Sequence, residues 1–275
     1  MSSSSSERGL DGHAGNTVAL ERRGGELRIT LNRPDVMNAW DKQFGVDLRE
    51  AVEQAAADDE VRAVVITGAG RGFSSGADLR AGFDATPEGH PDVGTALRDR
   101  YHPIIMGIRH LPKPVLAAVN GPAVGIGCSL ALACDLIVAR ESAYFLLAFV
   151  NIGLVPDGGS SLLLPERVGL ARATEMAMLG ERLSAKEALE WGLINRVAAD
   201  DEFEGVVDEL AARLATGPTS AYAGMKRQFN EWLFARMDAQ LELEASIQQQ
   251  AAASGDFREG VQAFLEKRAA AFEGR

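Results

Sequence analysis

Cysteine and histidine are scarce in this chain, and no apolar run is long enough to cross a bilayer. Only Cys128 and Cys134 are present. Six residues apart on one predicted helix, they point to different faces, which excludes a disulfide framework or a paired-cysteine metal site. His13, His90, His102 and His110 show no metal-ligand spacing, so no metal is expected. Lacking about 18 consecutive apolar residues and the apolar centre of a secretory signal, the chain is expected in the cytoplasm. Basic residues are outnumbered, 28 Lys and Arg against 39 Asp and Glu, for a formal net charge of −11. That balance opposes affinity for nucleic acid or an anionic membrane, because phosphate contacts need a basic face.

What is present is a 275-residue chain with 46% hydrophobic content, enough for one large domain with or without an appendage. Residues 1–15, with five consecutive serines, have almost nothing to bury and are expected to form a disordered tail. Two β-leaning segments around Gly24-Gly25 predict a hairpin. A helix is expected from Asp41, with Phe44, Leu48, Ala51, Val52 and Ala55 at helical spacing. Buried strands follow at Val61–Thr67, Val115–Val119 and Leu136–Ala139, with a helix over residues 93–109 and a mobile loop over residues 80–91 placed to cover a site. Repeated strand-then-helix units predict an α/β core over residues 16–200. Ser184-Ala185-Lys186-Glu187 reads as a capping box. Residues 201–275 read as a helical region that covers the site and makes subunit contacts. From Thr219 onward they are predicted helical with one break near Ser254-Gly255, and Trp232, Phe234 and Phe264 are surplus apolar positions.

Three β-leaning segments run into glycine-rich turns. The most pronounced is Asn120-Gly121-Pro122-Ala123-Val124-Gly125-Ile126-Gly127, which opens a helix. Glycines there permit a tight turn and close approach of another molecule, and the free N–H groups of a first helical turn favour an anion or a developing oxyanion. Packing of small residues for fit alone would leave the same pattern.

Asn32-Arg33-Pro34…Asn38-Ala39, Phe73-Ser74-Ser75-Gly76-Ala77-Asp78-Leu79, Lys113-Pro114-Val115…Asn120-Gly121 and Gly153-Leu154-Val155-Pro156-Asp157-Gly158-Gly159 together resemble the enoyl-CoA hydratase/isomerase (crotonase) superfamily, from about residue 17 to the C-terminus. The resemblance implies a ββα spiral core with a C-terminal helical region, assembly as a homotrimer or dimer of trimers, and acyl-CoA thioester substrates. Coenzyme A is then part of the substrate, and no separate cofactor is implied. The thioester carbonyl would be polarised by the backbone N–H groups of Ala77 and Ile126, beside Gly76 and Gly125. Adenine would lie near the backbone of Asn38, Ala39 and Ser75, with Phe264 and Lys267 reaching the nucleotide from a neighbouring subunit. Val36-Met37 replaces the basic residues common before the Asn-Ala pair, which leaves Arg33 or Lys267 to meet the phosphates.

The carboxylates decide the expected chemistry. Ser129 and Phe149 stand where the family's hydratases carry their two glutamates, and neither can serve as acid or base. Asp157 matches the acid residue of the double-bond isomerases and of the ring isomerase of phenylacetate breakdown, where one base suffices. A turn aspartate satisfying local N–H groups is the plainer reading of the same residue. Asp78 is expected to cap a helix start, with Leu79 beside it at the substrate, and Phe149 to line an acyl pocket. Hydration and non-catalytic acyl-CoA binding stay open beside isomerisation. A dinucleotide-binding reading of the glycines, with Tyr222 and Lys226 as a dehydrogenase pair, is weaker because about a hundred residues of α/β sequence precede the turn.

Overall fold

Residues 17–275 are described by a computed structural model. The predicted tail, residues 1–15, lies outside the described residues. Strands β1 (Val18–Arg23) and β2 (Glu26–Leu31) form the antiparallel hairpin expected around Gly24-Gly25. Helix α1 (Lys42–Ala57) is capped by Asp41, whose side chain accepts the Phe44 N–H, and it buries the predicted stripe of Phe44, Leu48, Ala51, Val52 and Ala55. Strand β3 (Ala63–Gly68) follows, then α2 (Val93–Ala96) and α3 (His102–His110). These two helices are joined by one wide π-type turn, Leu97–Tyr101, which ends at Pro103 in the first turn of α3. Proline has no N–H to continue the regular ladder, and such wide turns are frequent at functional sites.

Next come β4 (Val115–Val119), β5 (Ala123–Val124), α4 (Ile126–Ala133), β6 (Leu136–Arg140), β7 (Tyr144–Leu146), α5 (Ser160–Leu179), β8 (Leu183–Ser184), α6 (Ala185–Glu190) and β9 (Arg196–Ala198). One sheet runs β1-β2-β3-β4-β6-β9, parallel from β2 onward, and a smaller sheet runs β5-β7-β8. The larger sheet is covered on both faces, so its central strands read as continuous apolar runs. Along β3, Val64 and Ile66 point into the main core, while Ala63 and Val65 point into a second core. That second core is closed by Phe203, Val207, Leu210 and Leu214 of α7 (Phe203–Thr216). The predicted capping box at Ser184 and Glu187 is formed in both directions.

Three helices complete the chain: α8 (Thr219–Leu233), α9 (Met237–Ala252) and α10 (Gly255–Glu266). The C-terminal region thus departs from the single break expected near Ser254-Gly255. A further interruption falls at residues 234–236, where Phe234 packs against the main core, and helix stops at Glu266 because Lys267 turns left-handed, with φ 56°. The last residues fold back onto α10, the Arg275 carbonyl accepting the Asp256 N–H at 3.1 Å. No described helix is long and apolar enough to cross a membrane.

Candidate active site

The first two glycine-rich turns are stitched into one wall by short backbone contacts. Ser74 N–H donates to the Pro122 carbonyl at 3.0 Å, and Val124 N–H donates to the Ser74 carbonyl at 2.9 Å. A Cβ at Gly127 would lie 2.6 Å from Ser74 Cβ, so only glycine permits this approach. Ala77 follows Gly76 on one turn, and Ile126 opens α4 after Gly125 on the other. A side-chain carbon at Gly125 would sit 3.9 Å from the Gly76 Cα, so the two turns adjoin. Among the described residues neither the Ala77 nor the Ile126 N–H donates to a protein group. Both residues line one cavity of about 420 Å³, and both amides are free to polarise a carbonyl oxygen.

Asp157 faces the same cavity and is the one carboxylate lining it among the described residues. Its turn runs Asp157-Gly158-Gly159, with both glycines left-handed at φ 63° and 79°. A Cβ at Gly158 would lie 2.4 Å from Ile126 Cδ1, so the turn rests directly on the start of α4. Gln248 of α9 donates to Asp157 Oδ2 at 2.8 Å, while Asp157 Oδ1 has no partner. Glu244, one helical turn earlier on α9, accepts the Gly159 N–H at 2.8 Å and the Ser161 N–H at 3.1 Å, and also bonds the Ser161 hydroxyl. It thereby caps α5 immediately behind the turn.

Burial is the larger cause that raises Asp157 well above the ordinary carboxylate range. The charge of Glu244 adds to it, and the Gln248 amide opposes it. Burial likewise pushes Glu244 up to about 7 against the bonds it accepts. Both groups therefore hold protons in the folded state at pH values where the unfolded chain has released them, so stability falls as pH rises. For Glu244 the window runs from about 4.3 to about 7. We expect the melting temperature to drop by roughly 5 °C across it, and the slope to flatten in Glu244→Gln. A calorimetric pH series checks this; an unchanged slope would contradict it.

The remaining predicted positions divide. Ser75, Gly76, Leu79, Gly125, Phe149 and Phe264 line the cavity. Asn38 does not: its buried amide bridges the carbonyls of Ala69, Gly72 and Phe73, and its own carbonyl accepts from Ser74 Oγ. Ala39 is also buried, its carbonyl taken by Arg33. Arg33, tied to Asp41 and Asp78 as well, is spent inside the protein rather than free for a phosphate. Asp78 starts no helix. It accepts from Arg33 and from the Arg80 and Ala81 N–H groups of a turn, because the chain leaves in a loop.

Phe264 lines this chain's own cavity, where Gly260 of α10 packs against Ile152. Lys267 is exposed and lies off the cavity wall. The basic groups that do line it are Arg182, stacked 4.5 Å over Tyr144, and Arg268. Lys226 of the dehydrogenase-like pair is buried on Asp135 and the Lys113 carbonyl, away from the cavity. Cys128 and Cys134 are buried free thiols, pushed up to about 12 by burial.

Ser129 lies behind the site, donating to the Asp157 carbonyl at 2.8 Å. Ser160 Oγ donates to the same oxygen at 2.7 Å. Ser129→Ala is therefore expected to cost about 1 kcal/mol of stability with little loss of turnover, as checked by denaturant unfolding and initial rates. Sequence reasoning missed Gln248, Glu244 and Tyr101. The first two had one available signal, polar side chains four residues apart on a helix face that also carries Leu241, Ala245 and Ala252.

Known proteins bear on this geometry. The enoyl-CoA hydratase/isomerase family profile matches residues 21–275. A probable enoyl-CoA hydratase of Rhodobacter capsulatus is 46% identical over 260 residues, covering 94% of this chain and 99% of that protein. The 1,2-epoxyphenylacetyl-CoA isomerase of Escherichia coli is 42% identical over 252 residues, covering 91% and 96%. Among solved structures, an enoyl-CoA hydratase from Mycobacterium avium subsp. paratuberculosis superposes with a TM-score of 0.85 at 41% identity, covering 94% and 98%. The α/β core with its helical C-terminal region is thus the crotonase fold that the motifs imply.

Proposed function

The chain belongs to the enoyl-CoA hydratase/isomerase family of acyl-CoA enzymes, and from its site we propose that it shifts a double bond, or isomerises a ring, in an enoyl-CoA by proton transfer through Asp157. One observation carries this reading: among the described residues Asp157 is the single carboxylate lining a cavity that also holds two undonated backbone N–H groups. The thioester oxygen accepts from Ala77 and Ile126 N–H. Ionised Asp157 removes a proton from the α-carbon of a 3-enoyl group, the electrons spread into a dienolate held by the two amides, and Asp157 returns the proton to the γ-carbon. A raised carboxyl is a stronger base and better matched to a weak carbon acid than an ordinary aspartate.

Hydration needs one group to deprotonate water and another to protonate carbon. Here Phe149 lines the cavity and Ser129 is committed to the Asp157 carbonyl. The name of the Rhodobacter relative supports that second reading. The scheme asks for no metal or redox cofactor, with coenzyme A carried as part of the substrate and the cytoplasm as the setting. Exposed Met225, Phe229 and Trp232 on α8 support subunit contacts in a homotrimer or dimer of trimers. Incubation with 3-enoyl-CoA and, separately, 2-enoyl-CoA, followed by chromatographic separation, tests the activity. Formation of the 2-enoyl isomer is expected, and a 3-hydroxyacyl-CoA as the sole product from 2-enoyl-CoA would overturn it.

A further inference from the structure

Phe83 stands where three cavities meet. It lines the 420 Å³ site cavity and also a separate apolar cavity of about 400 Å³ between its own loop and α10, walled by Leu79, Pro91, Phe257, Val261 and Leu265. On its third side is a space of about 330 Å³ bounded by Trp40, Arg100 and Tyr101. Phe83 shares the partition between the first two cavities with Leu79, and its ring is partly buried and packed against the main core.

The loop that carries it is tied down on both sides. Ala85 bridges Pro91, Thr86 N–H donates to the His90 carbonyl at 2.7 Å, and Asp92 N–H donates to the Asp84 carbonyl at 2.7 Å. Lys42 of α1 pairs with Asp84, and Gln249 of α9 donates to the Pro91 carbonyl at 3.1 Å. These contacts seat the Phe83 ring at the boundary of the site cavity.

We propose that Phe83 is the stop that sets acyl length, restricting the cavity to short or compact acyl groups by closing it off from the second apolar cavity. This rests on the cavity being the acyl-CoA site. Each methylene that enters an apolar pocket tightens binding about fourfold, and the gain ends where the chain meets the ring. With the ring removed, a longer tail continues between the loop and α10, past Leu79 toward Phe257 and Val261, and leaves by the polar rim of Arg258, Gln262 and Glu266.

The test is calorimetric binding of butanoyl-, hexanoyl-, octanoyl- and decanoyl-CoA to wild type, Phe83→Ala and Phe83→Leu. In wild type the affinity is expected to climb and then level off before decanoyl-CoA. In Phe83→Ala it should keep rising by about fourfold per methylene. Phe83→Leu, which keeps an apolar side chain against the core, should fall between them and serves if the alanine variant fails to fold. A wild-type affinity still climbing at decanoyl-CoA, or variants that level off at the wild-type length, would overturn the proposal. Saturated thioesters have no double bond to shift, so a length limit without isomerisation of enoyl-CoA would count against the Asp157 chemistry alone. Failure to bind any acyl-CoA would remove both.

Discussion

Asp157→Asn is expected to lower enoyl-CoA turnover by about 100- to 10,000-fold, the span that a positioned proton-transfer group supplies, while affinity for a saturated acyl-CoA is retained. The amide keeps the volume of the carboxyl and can still accept from Gln248, so the cavity keeps its shape. The same variant is expected to be more stable at pH 8 than wild type. Asp157 has its carboxyl raised by burial, so folding above the ordinary carboxylate range either holds a proton there or buries a charge. Both oppose folding progressively from about pH 4 through the raised value, and asparagine has no such cost. Lost turnover together with a higher melting temperature is the signature of a residue kept for chemistry at the expense of stability. Rates near wild type would remove Asp157 from the mechanism, and a lower melting temperature would contradict the stability cost of its burial.

Gly127→Ala should be a strongly damaging small substitution in the wall. The added methyl would meet Ser74 Cβ at 2.6 Å and the Ser74 carbonyl oxygen at 2.9 Å. That carbonyl accepts Val124 N–H at 2.9 Å, so relief requires the two glycine turns to separate. Separation moves the Ile126 N–H away from the Ala77 N–H, and losing one such donor costs about 100- to 1,000-fold in turnover. Overpacking adds about 1–3 kcal/mol of destabilisation. Gly205→Ala on α7 provides the contrast, since open space surrounds it and helix propensity predicts a gain of up to about 1 kcal/mol. Rate and unfolding measurements on the pair check this. Equal behaviour of the two variants would show that the turns need no close approach.

Local chemistry made much of the site legible. The first two glycine turns could be placed because each follows a run of buried strand residues, and Asp157 because it sits in a turn with two glycines, although the β-leaning segment before that turn is a short 3₁₀ helix, Ala148–Ile152. The capping box at Ser184 is a short-range device and formed as written. What stayed hidden depends on distant docking. Glu244 and Gln248 lie in a Glu/Gln/Ala-rich helix that reads as solvated, and only the seating of α9 over the Asp157 turn buries them. Asn38 was read for its backbone, yet its side chain is consumed in holding Gly72 and Phe73. Nothing local shows that α10 packs on Ile152 and brings Phe264 to this chain's own cavity. Tyr101 reaches the cavity from a wide helical turn that an apolar periodicity does not reveal.

The most direct measurement is mass spectrometry of 3-enoyl-CoA and, separately, 2-enoyl-CoA after incubation with the wild-type protein in D₂O. A single-carboxylate proton shuttle predicts a shifted double bond without addition of water, with deuterium entering at the α- and γ-carbons wherever Asp157 exchanges its proton with solvent. A gain of one water on the 2-enoyl substrate, with no positional isomer from either, would contradict it.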